Sequence, residues 1–377
     1  MRILHLISSG GMYGAEAVIL NLSRTLNQQG HASLLGIFSN SSNPNLQLHE
    51  RALAEGIESH LIPCNGQLDR SVPAAIRALA ASTSADLLHA HGYKADVYAY
   101  LALRKTSTPL VSTCHTWYDD NPLLWLYGVI DRRLLRHYAA VVSVSDDVTH
   151  RLLHSGVAPH RIHFIRNGID LRPFTNATPS LRHLAPNGLL IGWVGRLTHD
   201  KGPDVYLRAI AQVRPLFPTA RYLLVGEGPY RPEVERLIAD LALDDVVHLL
   251  GQRQEMPAVY SSCDLMVSSS RQEGLPMAIL EGMASGLPWI ATPVGAVPLA
   301  IRDGDNGLLV PPDNAEVLAN TMVRLMKASE ERSKMGSAAR QITESDFSAE
   351  RMAADYLGVY SKAYSRDAET LATGGKS

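Results

Sequence analysis

Leu189-Leu190-Ile191-Gly192-Trp193-Val194, followed by Gly195-Arg196-Leu197-Thr198-His199-Asp200-Lys201-Gly202, is the stretch that decides the fold. The first six residues are a short apolar run, which reads as a buried strand. The next eight carry two glycines and run into an amphipathic segment at about Asp204–Arg214, which reads as a helix. Strand, glycine-bearing loop and helix together open a parallel α/β sheet. Because this opening lies halfway along the chain, it implies a second domain rather than a continuation of the first.

Downstream, Arg221–Val225, Val246–Leu250, Leu265–Val267, Trp289–Ala291 and Leu308–Val310 read as strands, with helices at Arg231–Leu241, Pro276–Ser285 and Ala315–Met326. Upstream, Ile3–Ile7, Ala32–Phe38, Ile57–Ile62, Asp86–Ala90, Leu110–Thr113 and Ala140–Val144 read as strands. Ala15–Gln29 and Ser71–Ala81 have helical spacing, and Gly30 stands where a C-cap glycine belongs. This alternation implies an α/β protein with parallel sheets covered on both faces. Between the two series lies 171–187, with prolines at 173, 179 and 186, which reads as a linker. The fold class expected is therefore two Rossmann-like domains facing each other across a cleft, with ligands at the carboxyl ends of the strands.

Composition narrows the function classes. A chain of 377 residues is too long for one ordinary core. Its 46% hydrophobic and 19% charged content excludes large-scale disorder. A formal net charge of −2 gives no footprint for nucleic acid. Cys64, Cys114 and Cys263 are too few and too widely spaced for a disulfide framework or a cysteine metal cluster. The apolar run at Ile3–Ile7 is too short for a signal peptide, and no stretch supplies the roughly 20 apolar residues of a membrane span. The expected location is cytoplasmic, with peripheral contact at the inner face of the membrane left open. Twelve of the 15 histidines precede residue 171, so the first domain gains positive charge below about pH 6.5.

The chemistry concentrates in Glu273-Gly274-Leu275-Pro276-Met277-Ala278-Ile279-Leu280-Glu281. Pro276 suits a first helical position, so Gly274, Leu275 and Pro276 form a loop entering a helix N-terminus, with Met277 in its first turn. Free N–H groups and the helix dipole there favour a phosphate. Glu273 and Glu281 can each accept several hydrogen bonds from a hydroxyl-rich ligand. Phosphate site and carboxylates together describe a nucleotide sugar. On spacing alone, a surface helix with two solvated glutamates is an equal reading.

Two glutamates separated by seven residues around a Gly-Leu-Pro turn resemble the E-x7-E signature of retaining glycosyltransferases of family 4, which have the GT-B fold. The resemblance runs from the Gly10–Glu16 loop to about Asn314. It implies that Glu273 contacts hydroxyls of the donor sugar and Glu281 the ribose. It also implies that Arg196 and Lys201 clamp the donor diphosphate and stabilise charge developing on the leaving nucleoside diphosphate, which removes the need for a metal or other cofactor. An ion pair of these cations with Asp200 or Asp204 is the plainer reading.

Ser8-Ser9-Gly10-Gly11-Met12-Tyr13-Gly14 follows a strand and opens a helix; by the same resemblance it faces donor phosphates and acceptor, through Gly11 first and Gly14 second. Relatives carry a tighter Gly-Gly-Ala-Glu, and Met12-Tyr13-Gly14 intervenes here. The resemblance also implies that the regions of Gly226 and Arg253 wall the nucleoside. His115 resembles the family histidine that faces the transferred sugar, where an imidazole can bond a hydroxyl or carry a proton. His89 and His91 flank Ala90 and are taken to point to opposite sides of the strand, which is poor geometry for a shared metal. Asn167-Gly168-Ile169-Asp170 reads as a hinge, and Asp303-Gly304-Asp305 as a turn rather than a metal motif. Trp117, Trp125, Arg132, Arg133 and Arg136 could anchor a helix at a membrane surface and suit a lipid-linked acceptor; a core-facing helix with a basic outer face is an equal reading.

The division expected is thus an acceptor-side domain at 1–170, a linker at 171–187, a nucleotide-sugar domain at 188–345, a helix at 346–364 returning to the first domain, and a tail at 365–377. The activity expected is retaining transfer of a hexosyl or N-acetylhexosaminyl unit from a UDP-sugar, or less favourably a GDP-sugar, to a sugar or lipid-linked hydroxyl. A GT-B nucleotide-sugar epimerase and a non-catalytic sugar-nucleotide-binding protein are the alternatives.

Overall fold

The computed structural model describes residues 1–12, 14–40, 42, 44–66, 69–114, 122–274 and 276–373, with the side chains of 122–126 and 366–373 outside the description. The chain forms two compact units. One comprises Met1–Gly168 with Ala349–Ser377, the other Ile169–Ser348.

The first unit is built on strands β1 (Arg2–Ile7), β2 (Ala32–Ser39), β3 (Ser59–Pro63), β4 (Leu87–His91), β5 (Leu110–Cys114), β6 (Ala140–Ser143) and β7 (Ile162–Phe164). They pair in parallel in the order β3-β2-β1-β4-β5-β6-β7. The second unit carries β8 (Leu190–Val194), β9 (Arg221–Val225), β10 (Val247–Gly251), β11 (Leu265–Ser268), β12 (Trp289–Ala291) and β13 (Gly307–Leu309), paired in parallel as β10-β9-β8-β11-β12-β13. Both sheets reverse winding direction beside their first strand, between β1 and β4 and between β8 and β11. Such switch points are where open α/β sheets bind ligands.

Strand periodicity explains why each sheet needs cover on both faces. Ile191, Trp193, Tyr222 and Leu224 fall in one buried cluster, while Leu190, Leu223 and Val225 fall in another. Alternate residues thus feed two cores on opposite sides of one sheet. Helix Pro203–Val213 supplies Tyr206, Leu207, Ile210 and Val213 to the first core, at helical spacing.

Two expected boundaries are corrected. Residues 171–187 are not a free linker: Leu181 and Ala185 are buried in the second unit, and the Phe174 ring lies 6.1 Å from that of Tyr260. The three prolines are exposed, and the segment is anchored to the second unit at Leu181 and Ala185. The chain returns to the first unit at Ala349, on helix Ala349–Thr373, so residues to Ser348 belong with the second unit and the helix continues past 364. Of the expected tail, 374–377 lie outside the described residues.

Strand β7 escaped the sequence reading because it is a three-residue edge strand with no fully buried position. Pro276 is the N-cap of helix Met277–Ala284 rather than its first residue, with ψ at 124°. The imidazoles of His89 and His91 share one face of β4, contrary to the expectation, because residues i and i+2 of a strand always do. Their ring centroids lie 4.1 Å apart.

Candidate functional site

At the switch point of the second sheet, the loop after β8 meets the loop after β11. Glycines make the approach of these loops and their neighbours physically admissible. Gly202 has φ +63°, and a Cβ there would lie 2.1 Å from the Ser269 carbonyl oxygen. A Cβ on Gly226 would lie 1.9 Å from the carbonyl oxygen of Gly195. Any side chain at either position would force the loops apart.

Lys201 lies in the short turn His199–Lys201, and its Nζ sits 2.6 Å from Oε2 of Glu273. Ser270 donates to the other carboxylate oxygen of Glu273 at 2.8 Å. The Glu273 side chain is only 8% exposed, so its charge is held by partners rather than by water. Lys201 also reaches Asp200, at 3.8 Å, whereas Asp204 turns to Arg271 instead. Arg196 is exposed and makes no ion pair among the described residues.

Glu281 lies on helix Met277–Ala284 and accepts a hydrogen bond from the Tyr260 hydroxyl at 3.0 Å. Desolvation pushes its carboxyl from 4.5 up to about 7, against the opposing pull of Tyr260. Gly274 is exposed ahead of this helix, Pro276 and Met277 are half-buried, and Leu275 lies outside the described residues. The Gly274 carbonyl accepts from Ala296 N at 3.1 Å. Gly226 N donates to the Gly251 carbonyl at 2.8 Å, tying the ends of β9 and β10 together. Arg253, just beyond, pairs with Glu255. Lys201 and Glu273 are thus in direct contact, Glu281 stands on the helix that follows the Glu273 loop, and Gly226 and Arg253 flank the ends of β9 and β10.

Sequence reading missed Tyr260, Ser270 and Arg271 as members of this group, and named Asp204 only as a partner for Arg196 or Lys201, whereas it pairs with Arg271. Arg271 and Ser270 flank the glutamate motif, and that proximity was the available signal.

In the first unit, Gly11 is buried while Gly14 starts helix Gly14–Gln28 and is exposed; Ser9 Oγ donates to the Gly11 carbonyl at 2.9 Å. Tyr13, His115, Trp117 and the side chain of Trp125 lie outside the described residues. His5, His89 and His91 have their nitrogens within 4.8 Å of one another, fully buried. Burial lowers the His5 pKa to about 3, so its ring is neutral. His5 Nδ1 and His91 Nε2 are 3.0 Å apart, and His89 bonds Tyr360 and Thr113 hydroxyls through both nitrogens, at 2.8 Å each. An ion on His89 would first have to displace one of those hydroxyls. Asp303 accepts from Leu309 N at 2.9 Å, and Gly304 has φ +79°, so this segment is a turn.

Two Rossmann-like sheets of this order, with an acid-and-base cluster at the second switch point, fit the GT-B class of glycosyltransferase. Residues 12–172 match the family model for glycosyltransferase family 4, and residues 188–328 that for group 1 glycosyl transferases. The chain belongs to this family and is a glycosyltransferase. A D-inositol 3-phosphate glycosyltransferase of Corynebacterium aurimucosum is 26% identical over 369 residues, spanning 88% of this chain and 87% of the relative. The alpha-D-kanosaminyltransferase of Streptomyces kanamyceticus is 27% identical over 294 residues, spanning 72% and 76%. The fold is similar to that of Anabaena Alr3699/HepE, solved in complex with UDP, at a TM-score of 0.82 and 22% identity over 96% of this chain and 100% of that one. The same protein has been solved with UDP-glucose.

Proposed function

We propose that this glycosyltransferase moves a hexosyl or N-acetylhexosaminyl unit from a UDP-sugar, with a GDP-sugar second, to an acceptor hydroxyl with retention of configuration. The observation that carries the reading is the Lys201–Glu273 pair at the switch point, beside a glycine-led helix entry. The binding of UDP and UDP-glucose by the structurally similar Anabaena protein supports the choice of donor.

In this reading Arg196 is the free cation that meets the diphosphate, and Lys201 shares its ammonium between Glu273 and a phosphate oxygen. Both stabilise charge that grows on the leaving nucleoside diphosphate. Glu273, already bonded to Ser270, offers its remaining lone pairs to donor-sugar hydroxyls. Glu281 takes the ribose. Gly226 and Arg253 wall the nucleoside, and Gly274, Leu275, Pro276 and Met277 present backbone donors. Gly11, Gly14 and His115 of the first unit serve donor and acceptor. With these side-chain cations the clamp calls for no metal. The acceptor belongs to glycan, polysaccharide or glycolipid assembly. A lipid-linked acceptor would be met at the inner membrane face by the segment around Trp117, Trp125 and Arg132. Among the described residues no helix is long and apolar enough to cross a membrane.

The test is a thermal-shift screen over nucleoside diphosphates, followed by turnover with the matching donor panel in EDTA. A bound nucleotide at a hundredfold excess over Kd stabilises the fold by about 2.7 kcal/mol. No shift with any nucleotide, or turnover that needs restored magnesium or manganese, would count against the reading.

A further inference from the structure

Arg271 stands two residues before Glu273, on the loop that follows β11, and grips three other segments. Its Nη1 and Nη2 reach the two oxygens of Asp204 at 2.9 and 2.8 Å, in the first turn of helix Pro203–Val213. Nη1 also donates to the His199 carbonyl at 2.6 Å, and Nε to Asp313 at 2.6 Å. Through the backbone, Arg271 N and Gln272 N donate to the Asp200 carbonyl at 2.7 and 3.2 Å. The side chain is 16% exposed and that of Asp204 18%. Burial alone would raise the Asp204 carboxyl, but the Arg271 hydrogen bond and charge outweigh it and hold it below its ordinary range.

These contacts bracket Lys201. His199 and Asp200 precede it, Asp204 follows it, and each is fastened to Arg271. Gly202, next to Lys201, is pinned from the same loop by Ser269, whose hydroxyl donates to its carbonyl at 2.7 Å. The turn has no core of its own, because none of its three residues is buried. Its direction is therefore set by polar contacts, and Arg271 supplies two that reach it from the Glu273 loop, to the His199 and Asp200 carbonyls. A planar guanidinium can serve a carboxylate fork, a second carboxylate and a carbonyl at once, which a lysine cannot.

We propose that Arg271 is the positioning residue of the donor clamp, locking the His199–Lys201 turn to the Glu273 loop so that the Lys201 ammonium is held in place for a diphosphate. The proposal rests on the donor-binding reading above. Its ligand is the pyrophosphate group of a nucleoside diphosphate, reached through Lys201 and not by Arg271 itself.

Arg271→Lys and Asp204→Asn break the lock from its two ends without emptying the core. In the ligand-free full-length protein, amide exchange of peptides spanning 199–206 should quicken in both variants. Calorimetry with UDP, or with GDP if that nucleotide gives the thermal shift, should show about a tenfold loss of affinity in each. The same substitutions made in a Lys201→Met background should change affinity by no more than about twofold. That loss of effect marks action through Lys201, which general loosening would not produce. Equal losses in both backgrounds overturn the proposal, as does unchanged exchange. If the unmodified protein binds neither nucleotide, the donor reading itself fails and the proposal falls with it. Exchange and binding thus separate the two failures.

Discussion

Lys201 Nζ and Glu273 Oε2 lie 2.6 Å apart, across the point where the second sheet reverses its winding. One residue follows β8 and the other follows β11, and the pairing of those two strands is what brings them together.

Lys201→Met should lower the melting temperature, because it leaves the nearly buried Glu273 carboxylate with Ser270 as its remaining partner. An unsatisfied buried polar group costs about 1–3 kcal/mol. Adding Glu273→Gln should recover part of that loss while nucleoside diphosphate affinity stays low. Thermal unfolding and calorimetry on both single variants and the double variant check this. Purely additive stability losses would show that the pair is not coupled.

Glu281 and Glu273 should divide the donor between them. Glu281→Gln should weaken UDP and UDP-sugar alike, since the ribose is common to both. Glu273→Gln should spare UDP and reduce kcat/KM for the sugar donor, appearing in kcat where the lost contact is realised in the transition state. Equal weakening of free UDP by both variants would refute the division.

Stability should fall as pH rises through Glu281. Its folded carboxyl titrates at about 7 against 4.5 when unperturbed, so between those values the folded chain binds the extra proton. The contribution is full below about pH 4.5 and lost above about pH 7, and is on the order of 3 kcal/mol. Asp96, raised by burial and then by Asp131, acts in the same direction, so the difference between wild type and Glu281→Gln isolates the Glu281 part. Parallel melting-temperature profiles from pH 4.5 to 8 would remove Glu281 as the source.

Tyr360→Phe should destabilise the first unit by about 1–3 kcal/mol, because it strips the His89 Nδ1 partner inside a fully buried cluster. Tyr356→Phe acts likewise through Thr113, whose hydroxyl lies 2.9 Å from that of Tyr356. Faster amide exchange in helix Ala349–Thr373 is the expected signature. Unchanged exchange would mean the helix is held by apolar packing alone.

Membrane contact, if the segment around Trp117 and Arg132 provides it, should appear as co-sedimentation with anionic vesicles that weakens as salt rises. Absence of binding at low salt would leave the core-facing helix as the reading.

The sequence by itself determined the two α/β series, the parallel sheets, the glycine loops and the residue types of the E-x7-E motif. Those properties are local: strand and helix periods report burial along a few turns of chain, and E-x7-E lies within one loop and one helix. Tertiary structure alone decided partners. Lys201 binds Glu273 because β11 pairs with β8, and no local pattern states which strands are neighbours. Nothing local singles out Arg271; folding places Asp204, His199 and Asp313 around its fork. Residues 171–187 looked like a linker because proline interrupts periodicity whether or not the segment packs. The last helix reaches the first sheet through Tyr356 and Tyr360, two hydroxyls whose partners lie hundreds of residues earlier. Such contacts depend on the distance between groups in space, which the order of residues constrains only after the sheets have formed.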